Sequence, residues 1–343
     1  MERVMSTLME QFVHQSLFEV DLVLYGRRRT RFFEVPTSVR VHEPRFDFDS
    51  YSRWLSTALT ARFLRETLKR LQPDRVLSFG ELWNSFVLLS ALGRTQEIVV
   101  SDRCQPVKRF RWHQEVLRRW LYPHANKVIV QTEMARAHYR ARFPSARFCV
   151  IGNPVAEVTD SQPSERDKTI LNVARLISTK HHDRLIRMFA SLASDDWDLV
   201  ILGDDAQSQT HRARLEALAG SLGVAERVSI MGTVEDVEDY YRRASIFAFP
   251  SSSEGFPNAL AEAMAHGMSC VSYDCCAGPG DLITEGETGY LVPVFDDAAF
   301  ADRLERLMAD GGLREEMGRK AKESMKAFAA HRIAQQYAEA ILD

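Results

Sequence analysis

Short apolar runs alternate with longer amphipathic segments along most of the chain. Compact runs rich in Val, Ile, Leu and Phe are typical of buried strands, whereas apolar positions that recur every three or four residues are typical of helices. The pattern predicts strands at residues 20–24, 75–78, 97–101, 127–131, 148–151, 169–173, 198–202, 228–231, 246–249, 269–273 and 289–292. It predicts helices at residues 3–15, 52–71, 82–91, 111–121, 135–142, 182–193, 209–222, 237–244, 257–266 and 298–310.

This strand and helix repetition occurs twice, which predicts two doubly wound α/β domains. The polar residues 156–168 separate the two repeats and are interpreted as a linker. We therefore expect an N-terminal domain at 1–155, a second domain at 156–325, and a C-terminal helix within 326–343 that returns to the first domain. The first domain opens directly with a helix, so the sequence also predicts that its first N-terminal strand is missing.

Composition is that of a globular protein that is large enough for two cores. The 343 residues are 45% hydrophobic and 27% charged. No apolar run reaches the roughly 18 residues of a membrane-spanning helix, and the first residues form no signal-peptide stretch. The five cysteines are odd in number and scattered without a metal or redox spacing, which favours reduced cytosolic thiols.

The charge is divided unequally between the two predicted domains. Residues 1–155 contain 25 Lys and Arg against 15 Asp and Glu, and the remainder contains 19 against 32. A basic half favours an anionic partner, which could be membrane phospholipid, lipid-linked pyrophosphate or nucleic acid, although attraction between the halves is an alternative. Cations and aromatic residues are mixed in the segments 27–31, 108–112 and 118–120.

The segment 249–267 is the most informative part of the chain. It leaves an apolar strand, passes through a turn of small residues and enters a helix near Pro257. Such a helix start presents free N–H donors at the carboxyl edge of a sheet. Glu254 in the turn and Glu262 in the helix can face one crevice, where two carboxylates suit hydrogen bonds to sugar hydroxyls.

These residues resemble the retaining glycosyltransferases of the GT-B fold, family 4, whose signature is a pair of Glu residues with seven residues between them. Glu254 and Glu262 have that spacing. The segments 172–180, 278–283 and 286–293 are also similar to the family pattern. The resemblance implies two Rossmann-like domains with a donor cleft between them.

The resemblance also implies roles for particular residues. Arg175 and Lys180 match the family's clamp on the nucleotide diphosphate, and together with Glu254 they are the expected catalytic residues. Fixed cations replace a divalent metal in GT-B enzymes, so neither a metal nor a cofactor is expected, and the donor is expected to be a UDP-sugar. The expected donor-binding residues are Arg175, Lys180, Glu254, Gly255, Phe256, Pro257, Asn258 and Glu262.

The first half is similar to a subgroup that builds bacterial surface polysaccharides on lipid carriers. Asp102 and Arg103 match its Ser-Asp-Arg segment and are candidates for the acceptor side. The resemblance implies hexosyl or N-acetylhexosaminyl transfer to a lipid-linked or glycan acceptor by a cytoplasmic protein that contacts the anionic inner membrane peripherally, without nucleic acid. The absent first strand and Gly-Gly loop leave an alternative, which is a truncated, non-catalytic remnant that binds nucleotide sugars.

Overall fold

The chain divides into two compact units. The computed structural model describes residues 2–25, 33–158, 166–205 and 210–343. We call Met1–Pro154 together with Ala330–Asp343 the N-terminal unit, and Val155–Ala329 the C-terminal unit. The chain therefore leaves its first unit once and returns to it for the last helix.

The strands of the N-terminal unit form two parallel sheets. Strands β1 and β2 make a two-stranded sheet, and β3 to β6 make a four-stranded sheet in the order β3-β4-β5-β6. Strand β2 was not predicted, because its three residues have no apolar run. The absence of a first strand from this domain stays a prediction. The bounds are β1 Asp21–Val23, β2 Arg40–His42, β3 Arg75–Phe79, β4 Glu97–Ser101, β5 Lys127–Val130 and β6 Phe148–Val150.

The helices of this unit follow the predicted amphipathic segments closely. They are α1 Glu2–His14, α2 Arg53–Leu71, α3 Glu81–Ser90, α4 Trp112–Leu121 and α5 Glu133–Arg142. Helix α1 buries Val4, Leu8 and Phe12, which recur every four residues and so share one face. The main core lies around β4 and β5, whose Val100, Val128 and Val130 are completely buried.

In the described residues of the C-terminal unit, six strands form a parallel sheet in the order β12-β11-β10-β7-β8-β9. The chain builds outward from β7 to β9 and then returns to the other side of β7 for β10. This reversal is the topological switch point of a doubly wound sheet. The bounds are β7 Asp167–Val173, β8 Asp198–Leu202, β9 Val228–Gly232, β10 Ala244–Phe249, β11 Ser269–Tyr273 and β12 Tyr290–Val292.

The remaining helices are α6 His182–Ser191, α7 Thr210–Ser221, α8 Val237–Arg243, α9 Asn258–Ala265, α10 Pro279–Leu282, α11 Asp297–Ala309, α12 Gly311–Met325 and α13 Ala330–Leu342. Helix α13 belongs to the N-terminal unit, where it packs against α1, β3 and β5. Helices α10 and α12 were not predicted. No described helix is both long enough and apolar enough to cross a bilayer.

Strand β10 lies at the centre of the C-terminal unit, and all six of its residues are buried. Ile246 and Ala248 point into one hydrophobic cluster, whereas Phe247 and Phe249 point into another. The alternation follows from the two-residue period of a strand. A parallel sheet covered on both faces requires such a continuously apolar central strand, and the fold class predicted from the sequence is confirmed.

The loop after β8 approaches the loop after β7 very closely at Gly203. Its φ of +148° is unfavourable for other residues, and an added Cβ would lie 1.8 Å from the Ala174 carbonyl oxygen. Gly203 N–H also donates to the Gly232 carbonyl at 2.8 Å. Only glycine therefore allows the loops after β7, β8 and β9 to meet.

Replacing Gly203 by Ala should lower the free energy of unfolding by about 2 to 4 kcal/mol, because both backbone strain and a steric clash are introduced. Urea denaturation followed by circular dichroism measures this change. Gly220→Ala is the matched control, since an added Cβ there meets nothing within 4 Å. Gly220 lies in the last turn of α7, where that change should alter the free energy of unfolding by less than about 1 kcal/mol. Equal stability of the two variants would contradict the packing argument.

Candidate functional site

The candidate site lies at the switch point of the C-terminal sheet, where β7 and β10 are neighbours. The two strands pair in parallel, with Ile246 opposite Ile170 and Phe247 opposite Leu171. Their carboxyl ends therefore open at the same edge of the sheet. Strand β7 leads into a 3₁₀ turn at Ser178–Lys180, and β10 leads into the turn 250–257.

Backbone and hydroxyl hydrogen bonds tie these two loops together. Ser252 N–H donates to the Thr179 carbonyl at 3.0 Å, and Ser251 Oγ donates to the same carbonyl at 3.4 Å. Next to them, Ser252 Oγ and His181 Nε2 lie 2.7 Å apart. The small residues of the turn thus allow the loop after β10 to fold back onto the loop after β7.

This contact brings together Lys180 and Glu254, which the sequence places 74 residues apart. Lys180 Nζ forms an ion pair with Glu254 Oε1 and lies 3.4 Å from Ser251 Oγ. It also lies 5.4 Å from the centre of the Phe249 ring. The two side chains are only 15% and 11% exposed. A cation and a carboxylate are therefore held in fixed positions at the edge of the sheet.

Arg175 lies in the same loop as Lys180 but is exposed. Its backbone carbonyl accepts a hydrogen bond from Ile177 N–H at 2.8 Å. In residues 2–25, 33–158, 166–205 and 210–343, no hydrogen bond or ion pair of its guanidinium is found. Arg175 therefore presents its charge to solvent, and it does not join the Lys180 and Glu254 pair.

The turn that contains Gly255 and Phe256 prepares the start of α9. Phe256 is buried, and its ring lies 5.9 Å from that of Phe328. Pro257 is the N-cap, one residue before the position expected, and α9 begins at the exposed Asn258. Gly278 packs against this proline so closely that an added Cβ would lie 2.3 Å from Pro257 Cδ. These contacts fix where α9 begins.

Glu262 lies in the second turn of α9 and is partly buried. The hydroxyl of Tyr241 donates to Glu262 Oε2 at 3.2 Å. The sequence pattern by itself assigns Tyr241 no role. A buried tyrosine needs a hydrogen-bond partner for its hydroxyl. That need is the signal that could have indicated a role for Tyr241.

In the N-terminal unit, Asp102 is buried beyond the end of β4 rather than open to a ligand. Arg118 donates to its Oδ2 at 2.6 Å, and the Tyr122 hydroxyl donates to the same oxygen at 2.8 Å. Tyr139 donates to Oδ1 at 3.3 Å. The carboxylate is 0% exposed and the Arg118 side chain 1% exposed. Asp102 therefore anchors α4 and α5 to the end of the sheet.

Four aromatic rings surround the Arg118 guanidinium. The rings of Phe110, Tyr122, Tyr139 and Phe143 have centres 4.9 to 5.3 Å from its Cζ. Arg118 therefore contributes no surface charge to the mixed basic and aromatic segment 118–120. The cation faces inward because a carboxylate and several π faces replace its hydration.

Arg103 follows Asp102 but has different surroundings. It donates to the Tyr337 hydroxyl at 2.9 Å and to Ser101 Oγ at 3.3 Å, and it hydrogen-bonds Asn153 Oδ1. Gln131 also donates to this Asn153 oxygen, at 2.6 Å. Arg103 is only partly buried, so the C-terminal helix holds a cation at the carboxyl edge of the N-terminal sheet.

Within the described residues, Glu81, Asp102 and Cys104 form a group whose ligand atoms lie within 4.8 Å of one another. The chemistry of this group does not suit a metal ion. Arg118 already neutralises Asp102. Burial raises the pKa of the Cys104 thiol well above its usual range, so the thiolate that would bind a metal is disfavoured.

Helix α4 exposes an apolar stripe beside positive charge. Trp112, Val116 and Trp120 are 79%, 59% and 53% exposed, and their spacing of four residues places them on one face. Neighbouring cations are also exposed, namely Lys108, Arg109, Arg111 and Arg119. The other predicted basic segment, 27–31, lies outside the described residues.

Two protein-family models match this chain. Residues 156–324 match the model of glycosyl transferases group 1. Residues 1–157 match the model of glycosyltransferase family 4. The chain belongs to the family 4 glycosyltransferases. The resemblance to this family is confirmed, and the match includes the first half of the chain.

Three curated relatives come from bacteria. The amylovoran biosynthesis glycosyltransferase AmsD of Erwinia amylovora is 25% identical over 92% of this chain and 88% of its own length. A Campylobacter jejuni alpha-1,4-N-acetyl-D-galactosaminyltransferase, named for an acceptor on undecaprenol diphosphate, is 26% identical over 100% of this chain and 94% of its own length. The exopolysaccharide phosphotransferase SCO2592 of Streptomyces coelicolor is 34% identical over 63% of this chain, which is 23% of that protein.

Solved structures establish the GT-B fold. A glycosyltransferase from Rickettsia africae aligns with a TM-score of 0.85 at 16% identity and covers 100% of this chain and 95% of its own. Anabaena HepE, in complex with UDP and glucose, aligns with a TM-score of 0.79 at 16% identity and covers 99% and 95%.

Replacing Asp102 by Asn should lower the free energy of unfolding by about 3 to 5 kcal/mol, because the buried Arg118 would lose its hydrogen-bonded counterion and keep only the more distant Glu115 carboxylate, at 3.8 Å. Thermal and urea unfolding measure this. Glu66→Gln is the matched control, since it breaks the exposed pair that Glu66 forms with Arg62 at 2.8 Å and should cost less than about 0.5 kcal/mol. A similarly small effect of Asp102→Asn would contradict the anchoring role.

Proposed function

We propose that this glycosyltransferase transfers a hexosyl or N-acetylhexosaminyl group from a UDP-sugar to a lipid-linked oligosaccharide, with retention of anomeric configuration and without a divalent metal. Family membership supports sugar transfer. The spacing of Glu254 and Glu262, shared with the retaining enzymes of the family, supports retention. The UDP and glucose held by HepE support the choice of donor.

The pair of Lys180 and Glu254 is the observation that carries this proposal. Breaking the bond between the sugar C1 and the diphosphate oxygen leaves a nucleoside diphosphate with more negative charge than the bound donor. A cation already fixed at that position stabilises the departing group more strongly than the substrate. The Glu254 carboxylate keeps Lys180 in place and offers an oxygen to the sugar hydroxyls.

Arg175 supplies the second positive charge. Its exposed guanidinium can approach the diphosphate from solvent and bind two oxygens in a fork. Two cations can provide the charge that a divalent metal provides in other transferases. This supports a metal-independent reaction.

We assign the acceptor diphosphate to the carboxyl edge of the N-terminal sheet, beside Arg103. Of the two residues expected on the acceptor side, Arg103 is partly accessible. The carboxylate of Asp102 is buried and paired with Arg118. A lipid-linked acceptor also requires approach to a membrane. The apolar and basic face of α4 supports peripheral contact with the anionic, cytoplasmic face of the inner membrane.

Lys180→Ala and Arg175→Ala should each lower kcat/KM by about 2 to 4 kcal/mol of transition-state stabilisation, since each removes charge opposite the departing diphosphate. Steady-state assays with UDP-sugars and a lipid diphosphate acceptor measure the change, and NMR of the product reports the anomeric configuration. Lys168→Ala is a matched control, because Lys168 pairs with Asp196 on the surface. Wild-type transfer should persist in EDTA.

Three outcomes would overturn parts of this proposal. Unchanged kcat/KM in both variants would remove the cation mechanism. Loss of wild-type transfer in EDTA would remove metal independence. Binding of UDP without transfer to any acceptor tested would favour the non-catalytic remnant.

Replacing both Trp112 and Trp120 by Ser should weaken binding to vesicles of phosphatidylglycerol and phosphatidylcholine by about tenfold or more, because two large apolar side chains no longer enter the lipid interface. Vesicle flotation measures the bound fraction. Trp54→Ser is the control, since this residue is 89% exposed on another helix, α2. Equal binding by the wild type and the double variant would exclude the α4 face.

A further inference from the structure

A buried tyrosine joins α8 to the carboxylate of Glu262. Tyr241 is 1% exposed, and its hydroxyl lies 3.2 Å from Glu262 Oε2 and 3.3 Å from the Ala259 carbonyl oxygen. Both acceptors belong to α9, on successive turns. The side chain of Tyr241 thus extends from α8 to the face of α9 on which Glu262 lies.

Arg166 fixes the ends of the same two helices. Its NH1 donates to the carbonyls of Tyr241 at 2.8 Å and Ala244 at 2.6 Å, and its NH2 donates to the carbonyl of His266. Helices α8 and α9 end beside these carbonyls. A cation at two helix C-termini satisfies free carbonyls and complements both dipoles. Burial lowers the pKa of Arg166 to about 10, so it stays charged at neutral pH.

His266 restrains the tyrosine ring from the other side. The two rings are stacked, with centres 5.1 Å apart and planes inclined by 27°. His266 Nδ1 lies 2.8 Å from the Glu262 carbonyl oxygen. The ring of Tyr241 is therefore restrained by His266, which itself contacts Glu262.

We propose that Tyr241 is a positioning residue for nucleotide binding, which orients the Glu262 carboxylate so that it can accept hydrogen bonds from the ribose hydroxyls of the donor. This rests on the proposed function and on the expected place of Glu262 among the donor-binding residues. A carboxylate on a helix surface samples several rotamers, and holding it in one of them lowers the entropy cost of binding. Tyr241 does not contact the substrate in this arrangement.

Tyr241→Phe removes only the hydroxyl and tests the inference. We expect UDP to bind about 3- to 10-fold more weakly by isothermal titration calorimetry, which corresponds to one lost hydrogen bond. KM for the donor should rise by a similar factor, whereas kcat should change by less than about twofold. Tyr240→Phe is the matched control, because its hydroxyl makes no hydrogen bond within the described part of the chain, and it should bind UDP like the wild type.

A double-mutant cycle separates positioning from a structural role. In the Glu262→Gln background, adding Tyr241→Phe should weaken UDP binding by less than about twofold, since no carboxylate remains to be oriented. Glu262→Asp, whose shorter side chain moves the carboxylate away from both the Tyr241 hydroxyl and the ribose, should bind UDP at least as weakly as Tyr241→Phe. Adding Tyr241→Phe to Glu262→Asp should weaken UDP binding by less than about twofold. Equal loss in every background would show that Tyr241 acts only through stability and would overturn the inference.

The outcomes also separate this inference from the proposed function. If Glu262→Gln weakens UDP binding and Tyr241→Phe does not, the positioning role is wrong and the donor site stands. If neither change affects UDP binding in folded protein, the assignment of the donor site to Glu262 is itself wrong, and the inference falls with it.

Discussion

The parallel pairing of β7 with β10 is the constraint on which the candidate donor site depends. Because both strands run in the same direction, the loops that follow them open at one edge of the sheet. The hydrogen bond from Ser252 N–H to the Thr179 carbonyl then joins the loops. Lys180 and Glu254 meet as a result of this pairing, so the chemistry of the site follows from the register of the two central strands.

Each unit contains an ion pair, but the two pairs have different roles. Asp102 and Arg118 are fully buried and enclosed by aromatic rings, so their charges stabilise the packing of α4 and α5 and are closed to ligands. Lys180 and Glu254 remain partly accessible at the edge of a sheet. An ion pair that retains some exposure can exchange partners with a ligand, whereas a buried pair loses stability when either partner leaves.

Element positions were largely predictable, since buried parallel strands and amphipathic helices have distinct periods. The bounds of β8 and β11 agree with the predicted ranges to the residue. Strand β2 was missed because only one of its three residues, Val41, is aliphatic. Helix α12 was missed because its sequence is mostly polar and Gly-rich at the start, and the Asp310 side chain that caps it carries little signal without the fold.

The sequence by itself determined the family and the residue types of the candidate donor site, because the spacing of Glu254 and Glu262 is a local property of one turn and one helix. It could not determine which charged residues face inward. Arg118 and Arg119 are adjacent in the chain, yet only Arg118 is buried. Folding brings the Asp102 carboxylate and the Tyr139 and Phe143 rings from other elements to the Arg118 guanidinium. Likewise, only the packing of α8 on α9 brings Tyr241 to Glu262, because that contact joins residues 21 positions apart.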